Sequence, residues 1–512
     1  MPADLGPLHP SYRPPVRHIP ALPAGGLVAS ESAKHRAQRM ALFRQVCVRR
    51  AREDFGAFLE YAMRDAKSHA PFAVQWFQEE WIAAITSKKR VQIIAPRSHG
   101  KSSLAAVALP IWELGRDHNK RIKIVCEDDE LAGKRLRAIR RHIAHNPRVQ
   151  DVFPSLKPDP REAWAATKLT VERNMIDPEP SIEAKGIMSG ATGSRVDLMI
   201  ADDVVGKRNA LLQGAARERV KVSFYDDWMN LLDPRSRAVA IATLWHKDDL
   251  NHELQKNREW AHLFYAVGDA YESLWPERWP ADALAERHRT IGTAAFSRGY
   301  WNRCQDDSEA VVREAWIRYM ELDDMPPLNE LILLDSYDTA KSQGPDADYT
   351  AEVLLAVHPP TGHMFVLDAQ HRRATRAEQS DWVWGQRQRF RPFRIQIEDI
   401  GADLADWVEH DHPELVGEVE RIKPRISKAL RLESVTPYLE RGEVWFAAHL
   451  DPDDPRFRPA RGSLVGELLD FPLGKHDDLV DALSQAIHAA QRLVLDTDRP
   501  GEGTLDATVT LL

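Results

Sequence analysis

Between residues 91 and about 270 the chain alternates short apolar runs with segments of helical period. VQIIAP, RIKIVCE, VDLMIAD, AVAIATLW and HLFYAVG are each long enough for one buried strand. Strands separated by helices predict an α/β domain with a mainly parallel sheet covered on both faces. ELDDMPPLNE, at 321–330, breaks the periodicity and predicts a linker. A second series follows: LILLDSYD, AEVLLAVH and HMFVLDAQ, a helical stretch, FRIQIED and EVWFA, and a last helix from about Asp478 to Leu493. Short turns join its first three runs, HPPTGH among them, which predicts an antiparallel start to a mixed sheet. Ahead of both series, Met40, Phe43, Val46, Cys47, Phe55, Phe58, Leu59 and Met63 keep roughly helical spacing. Residues 1–33, rich in Pro, Gly and Ala, predict a flexible arm, and 495–512 a disordered tail.

The 512 residues are long for one domain, and 43% hydrophobic with 29% charged residues predicts a globular protein with real cores. No run approaches the roughly 18 apolar residues of a membrane span, and MPADLGPLHPSYRPP has no signal-peptide layout. Cys47, Cys126 and Cys304 are too widely spaced for a disulfide framework or a zinc module, which fits a reducing cytoplasm. With a net charge of -8, any nucleic-acid contact has to come from local basic patches. One such cluster, Arg44, Arg49, Arg50 and Arg52, reads as a solvated helix face.

VQIIAPRSHGKSSLAA, residues 91–106, runs from strand through turn into helix. A phosphate-binding loop needs backbone N–H groups around the phosphates, a lysine for the β- and γ-phosphates and a hydroxyl for Mg²⁺. Ala95, Pro96, Arg97, Ser98, His99, Gly100, Lys101 and Ser102 supply all but the first glycine, whose place Ala95 takes. Alanine keeps such a loop workable where that position avoids positive φ. ATP and Mg²⁺ are therefore the expected ligands. About a hundred residues downstream, RVDLMIADDVV ends in Asp202 and Asp203. A carboxylate at such a strand tip holds Mg²⁺, so Asp202 is expected to anchor the ion and Asp203 to orient or deprotonate the attacking water. A helix-capping pair is the plainer alternative. Thr243, on the strand AVAIATLW, is the candidate for sensing the γ-phosphate, and Arg195 and Arg97 are candidates for contacting it.

The second series ends its apolar runs in acid. Asp338 follows LILLDSY, Glu398 closes FRIQIE, and Asp477 and Asp478 open the final helix. Carboxylates from separate segments suit two Mg²⁺ or Mn²⁺ ions about 3.5–4 Å apart that activate a water and stabilise a leaving oxygen. Asp335 reads as a turn residue, and Asp481 either shares the site or pairs outward. RIKPRISKALRL places Arg421, Lys423, Arg425, Lys428 and Arg431 near this acid, a pattern that suits a phosphodiester backbone.

In this order PRSHGKS, GSRVDLMIADD, ATLWHKDDL, LWPERW with FSRGYWNRCQ, SYDTA with DADYTAEV, IEDIGADLADW, SKALRLESVTPYLERGEVWF and HDDLVDAL resemble the large terminase subunit of tailed bacteriophages, over roughly residues 65 to 490. The resemblance implies a P-loop ATPase domain over 34–320, the linker at 321–330, and a ribonuclease H-like nuclease domain over 331–494. It implies that Lys101 and Ser102 bind phosphates and Mg²⁺, that Asp202 holds Mg²⁺, that Asp203 is the catalytic carboxylate and that Thr243 lies in a coupling motif. Asp338, Glu398 and Asp478, or Asp477, become nuclease metal ligands, and Gln78, or Gln75, reads adenine. Asp203 stands where many of these motors carry Glu. The implied activity is an ATP-driven motor that moves double-stranded DNA into a procapsid and cuts it. The implied partners are a small terminase subunit, a portal protein and further copies in a ring, in the host cytoplasm and not in the mature virion. A DNA-repair helicase–nuclease, which would need a second motor domain, and an inactive assembly scaffold are the competing readings.

Overall fold

The structure, a computed structural model, describes residues 33–65, 69–162, 164–190, 195–211, 214–304, 311–339, 349–398, 404–423, 426–452, 464–474 and 476–497. The expected arm and most of the expected tail lie outside the described residues. Two compact units emerge. One comprises residues up to Ala285 with Ser297–Cys304, and the other comprises Glu286–Phe296 with residues from Gln305 onward.

The first unit is built on β1 (Arg90–Ile94), β2 (Ile122–Cys126), β3 (Lys168–Leu169), β4 (Ile182–Gly186), β5 (Val196–Asp202), β6 (Leu232–Ala242) and β7 (Ala261–Phe264), in the order β3-β4-β2-β5-β6-β1-β7. Every pairing is parallel except that of β3 with β4. Strand alternation explains the two-sided cover. Leu198 and Ile200 of β5 enter one core with Phe58, Trp81 and Trp112, while Met199 and Ala201 enter another with Phe224 and Trp228. All five expected strands are present. The pattern missed β4, whose core residues are interrupted by Glu183 and Lys185; Glu183 is buried against Lys123 of β2.

The second unit carries β8 (Tyr319–Met320), β9 (Ile332–Asp338), β10 (Thr350–His358), β11 (His363–Arg372), β12 (Arg394–Glu398), β13 (Val419–Ile422) and β14 (Val444–Ala447), in the order β13-β12-β9-β10-β11-β14-β8. β10 is antiparallel to both neighbours, as the short turns predict, and β12 returns parallel to β9. This is the ribonuclease H-like arrangement beside the P-loop arrangement of the first unit. β8 precedes residues 321–330 and still pairs with β14. Ala351, Val353, Leu355 and Val357 turn one face of β10 toward Leu479, Leu483 and Ile487 of the helix Asp478–Thr497. Among the described residues no helix is long and apolar enough to cross a membrane.

That last helix covers the face of the sheet that carries Asp338, so its packing fixes the site's geometry. Leu483 is fully buried there. Leu483→Ala is expected to cost about 2–5 kcal/mol of unfolding free energy, read by urea denaturation. A loss under about 1 kcal/mol would contradict the packing described.

Candidate functional site

In the first unit, β1 leads into the loop and then into a helix that runs π-helical over Ser103–Ala108 before Leu109–Arg116. Leu109 donates to the carbonyl of Leu104, five residues back. Pro110 has no N–H of its own to give, and a widened turn just ahead of it accommodates that break in the ladder. Ala95 is not among the residues with positive φ, and its N–H donates to Ala242 at 3.2 Å, so it extends the strand and needs no glycine. The left-handed positions of the loop are Ser98 (φ 62) and Gly100 (φ 90). A Cβ on Gly100 would lie 2.9 Å from Nε2 of Gln78.

Gln78 itself is fully buried beneath the loop. Its Nε2 donates to the carbonyl of His99 at 2.9 Å, and its Oε1 accepts from the N–H of Gln75 at 3.1 Å. One bond at each end of the amide makes Gln78 a strut under the loop, and Gln75 caps the same helix; each amide end keeps a further hydrogen-bonding position, so the adenine contact stays an expectation.

Arg97, Ser98, His99, Gly100, Lys101 and Ser102 border a cavity of about 360 Å³, with Asp203, Thr243, Trp245 and Glu127 on its other walls. The buried ammonium of Lys101 donates to the carbonyls of Ala95 and Pro96. Burial pulls its pKa down to about 8, against the attraction of Asp203 and Asp202. Ser102 donates to Oδ1 of Asp202 at 2.7 Å. Arg135, on the helix Asp129–His145, donates to both Asp202 and Ser102. Burial, followed by the neighbouring Asp203, raises the pKa of Asp202, and Arg135 opposes the rise. The oxygens of Ser102 and Asp202 form the hard donor set that Mg²⁺ takes. Asp203 sits at φ 47, and its buried Oδ1 has no protein partner. Held left-handed, a non-glycine residue stores strain on the order of 1–3 kcal/mol. Arg97 lies 4.9 Å from the ring centre of Trp245, and its N–H donates to Gly299.

Thr243 follows β6 and is buried on the cavity wall. Arg195 is not brought to its own chain's cavity, which leaves open a contact from a neighbouring copy. It is exposed and precedes β5, whereas Asp202 ends that strand. Seven residues at about 3.3 Å each separate it from the cavity end. Two residues were missed. Glu127 ends the run RIKIVCE and obeys the same strand-tip logic that found Asp202. It lines the cavity and accepts from the N–H of Arg208 at 3.1 Å. Arg135 carried no signal, being one of several arginines along its helix.

In the second unit, β9 and β12 lie side by side and end in Asp338 and Glu398. Ligand oxygens of Asp338, Glu398 and Asp481 lie within 4.8 Å of one another, and all three residues are buried. The third member is Asp481, which the sequence left between sharing the site and pairing outward, while Asp477 and Asp478 lie beside it on Lys428. Asp481 is one helical turn deeper than Asp477, which puts it between the strand ends. Asp477 stays 43% exposed at the rim. Burial raises the pKa of Asp338, as does hydrogen bonding with Glu398. Burial likewise pushes Asp478 up to about 6 against Lys428. Oε2 of Glu398 is buried without a protein partner. An all-oxygen set with an orphaned acceptor fits a hard divalent cation.

Two members of the basic run face the acidic cluster. Lys428 turns inward to Asp338 at 3.0 Å, Asp477 at 2.9 Å and Asp478 at 3.4 Å. Arg431 donates to Asp481 and, at 3.3 Å, to Glu398. Burial works against the charge on Lys428, but Asp338, Asp477 and Asp481 outweigh it and raise its pKa. Arg421 pairs with Asp406 and Glu409, Lys423 is exposed, and Arg425 lies outside the described residues.

The reverse face of the same sheet holds a second acidic pair. Asp335 is a fully buried strand residue, not a turn residue, and accepts from Tyr337 at 2.8 Å. It lies against the fully buried Glu352, which accepts from Gln386 at 2.9 Å, and Oδ1 of Asp335 and Oε2 of Glu352 have no other protein partner. Two carboxyls can bond only by sharing a proton.

No family model matches the chain. A terminase large subunit of Enterobacteria phage T3 is 30% identical to it over 229 residues, which make up 44% of this chain and 36% of that protein. The chain thus spans about a third of the length of that curated relative. Among solved structures, the chain is similar to the large terminase of a thermophilic bacteriophage, at 10% identity over 79% of this chain and 94% of that one, with a TM-score of 0.48. It is also similar to the large terminase nuclease of thermophilic phage G20c, at 14% identity over 34% of this chain and 94% of that one, with a TM-score of 0.24. The chain resembles phage large terminase subunits.

Burial raises the Asp335 carboxyl to about 7, repulsion from Asp368 adds to the rise, and Tyr337 and Glu352 oppose it. The folded state therefore binds a proton that the unfolded chain releases, and stability falls as pH rises past the ordinary carboxylate value. Asp335→Asn supplies a permanently neutral group. It is expected to flatten that fall in melting temperature between acidic and neutral buffer; an unchanged slope would sink the shared-proton assignment.

Proposed function

We propose that this chain is the large subunit of a phage DNA-packaging terminase, an ATPase in its first unit and a metal-dependent endonuclease in its second. The observation that carries the reading is the presence in one chain of a phosphate-loop cavity with Ser102 on Asp202 and a separate buried cluster of Asp338, Glu398 and Asp481. The 30% identical relative supports it. A repair helicase would need a second motor, and the second unit offers carboxylates on a ribonuclease H-like sheet in its place.

In the ATPase, the loop N–H groups and Lys101 would hold the phosphates, and Ser102 and Asp202 would hold Mg²⁺, which would supply positive charge for the transferred phosphoryl group. Asp203, with its unpartnered oxygen on the cavity wall, orients the attacking water. Arg97 lies on the same wall and contacts the γ-phosphate, and Thr243 senses its loss. In the nuclease, Asp338, Glu398 and Asp481 would hold two Mg²⁺ or Mn²⁺ ions, whose chemistry there would be activation of water and stabilisation of the leaving oxygen. Asp477 and Asp478 border that site. Double-stranded DNA, a small terminase subunit, a portal ring and further copies of the chain are the partners this reading entails, in the host cytoplasm.

Two assays on the full chain test the halves separately. Lys101→Ala is expected to abolish ATP turnover and leave plasmid cutting intact; full turnover in that variant would remove the phosphate-loop assignment. In Mn²⁺, Asp338→Asn and Asp481→Asn are each expected to lower plasmid cutting at least about 100-fold, in line with the loss of a metal-holding carboxylate. Asp477→Asn should cut within a few-fold of the parent. The reverse ranking of Asp481 and Asp477 would restore the sequence-based choice of ligand.

A further inference from the structure

Lys428 is the first residue of the helix Lys428–Arg441. A cation there opposes the helix macrodipole, which favours negative charge at an N-terminus. Its side chain is turned to the acidic cluster, within 4 Å of Asp338, Asp477, Asp478 and Asp481. No other described cation reaches four carboxylates of this cluster. Arg431 is built differently. It is buried, grips Asp481 and Glu398, and donates a third bond to the carbonyl of Ile426. Its planar fork is fixed in place. The Lys428 side chain is 33% exposed and carries its charge on a flexible four-carbon stem.

Charge decides what such a lysine does. Once metal has displaced the proton that Asp338 and Glu398 share, five carboxylates (Asp338, Glu398, Asp477, Asp478 and Asp481) face two cations, which leaves an excess of three negative charges. One divalent ion leaves a single excess charge. A second ion overshoots to net positive while the ammonium stays among the carboxylates. A phosphodiester brought to the cluster carries the missing negative charge and is itself a partner for an ammonium.

On the reading of this cluster as a nuclease site, we propose that Lys428 is a tethered cation that competes with divalent metal for the carboxylate oxygens and is handed over to a DNA phosphate, so that the full metal complement assembles only with DNA. The lysine is a positioning residue: it leaves the reacting atoms to the carboxylates and sets when the metal can gather there.

The test counts Mn²⁺ bound to the full chain, by the electron paramagnetic resonance of the free ion, with and without a short phosphorothioate duplex that resists hydrolysis. In the parent protein the duplex is expected to tighten Mn²⁺ binding about tenfold, equivalent to about 1.4 kcal/mol. Lys428→Met is expected to bind Mn²⁺ about that much tighter with no DNA present, and to gain less than about twofold from the duplex. Lys428→Arg, which keeps the charge, should behave as the parent does. Lys428→Gln serves as the second neutral variant should the methionine variant fail to fold. Equal DNA coupling in the parent and in the neutral variants overturns the proposal, because simple loss of one positive charge raises affinity without removing the coupling. Asp338→Asn, counted in a chain that also carries Asp202→Asn so that the first unit's own metal site is silent, separates the two levels: Mn²⁺ binding that survives it overturns the reading of the cluster itself, and binding lost with it leaves the lysine as the question the other arms answer.

Discussion

Carboxylates buried at strand ends cannot stay charged without a partner, because removing an ion from water costs several kcal/mol even after relaxation. Much of the architecture described here answers that constraint. Asp202 is fully buried and is met by Arg135. Glu398 and Asp481 are met by Arg431, and Asp338 by Lys428. Glu183, inside the first sheet, is met by Lys123. The basic partners come from helices in the two sites and from a neighbouring strand in the core, so the placing of those elements is dictated by charge as much as by apolar area. Both candidate sites therefore carry a fixed positive group next to the oxygens that would hold metal.

The strands and the loop could be read because each is a local signal: an apolar run bounded by a turn, or a glycine followed by lysine and serine. Asp202, Asp338 and Glu398 could be read for the same reason, since a carboxylate that ends an apolar run is visible in one dimension. Glu127 obeys the rule and was passed over. What could not be read depends on which way a side chain turns. Lys428 and Arg431 sit in a basic run whose composition suits a surface, yet both face inward. The choice among Asp477, Asp478 and Asp481 turns on one helical turn of depth, which spacing alone leaves open. The adenine contact of Gln78 was implied by the resemblance alone, and the two bonds its amide makes to the loop and to the helix start carry no mark in the sequence. β4 and β13 were missed because the charged residues they carry, Glu183 and Lys185 in one and Glu420 and Arg421 in the other, disguise short strands.

Strand β9 shows how little separates two acidic environments. Asp335 and Asp338 lie three residues apart, and alternation sends them to opposite faces. Asp338 meets a lysine and a second carboxylate at the mouth of a site. Asp335 meets a tyrosine and a glutamate with no cation within bonding distance, and can be buried only with a proton. The same side chain is a metal-holding candidate on one face and a neutral core residue on the other.

The contact between Gly100 and Gln78 joins two positions that are 22 residues apart in sequence. A Cβ at 100 would strike the Gln78 amide, and the loop there is already at φ 90. Shortening residue 78 would clear the space and still leave the backbone in glycine territory, while removing the donor that holds the His99 carbonyl. Neither substitution therefore opens a path for the other. In a population of drifting sequences the pair would be frozen together, and a lineage that lost this glutamine would have to rebuild the helix Trp76–Ser87 beneath the loop before it could tolerate any change above it.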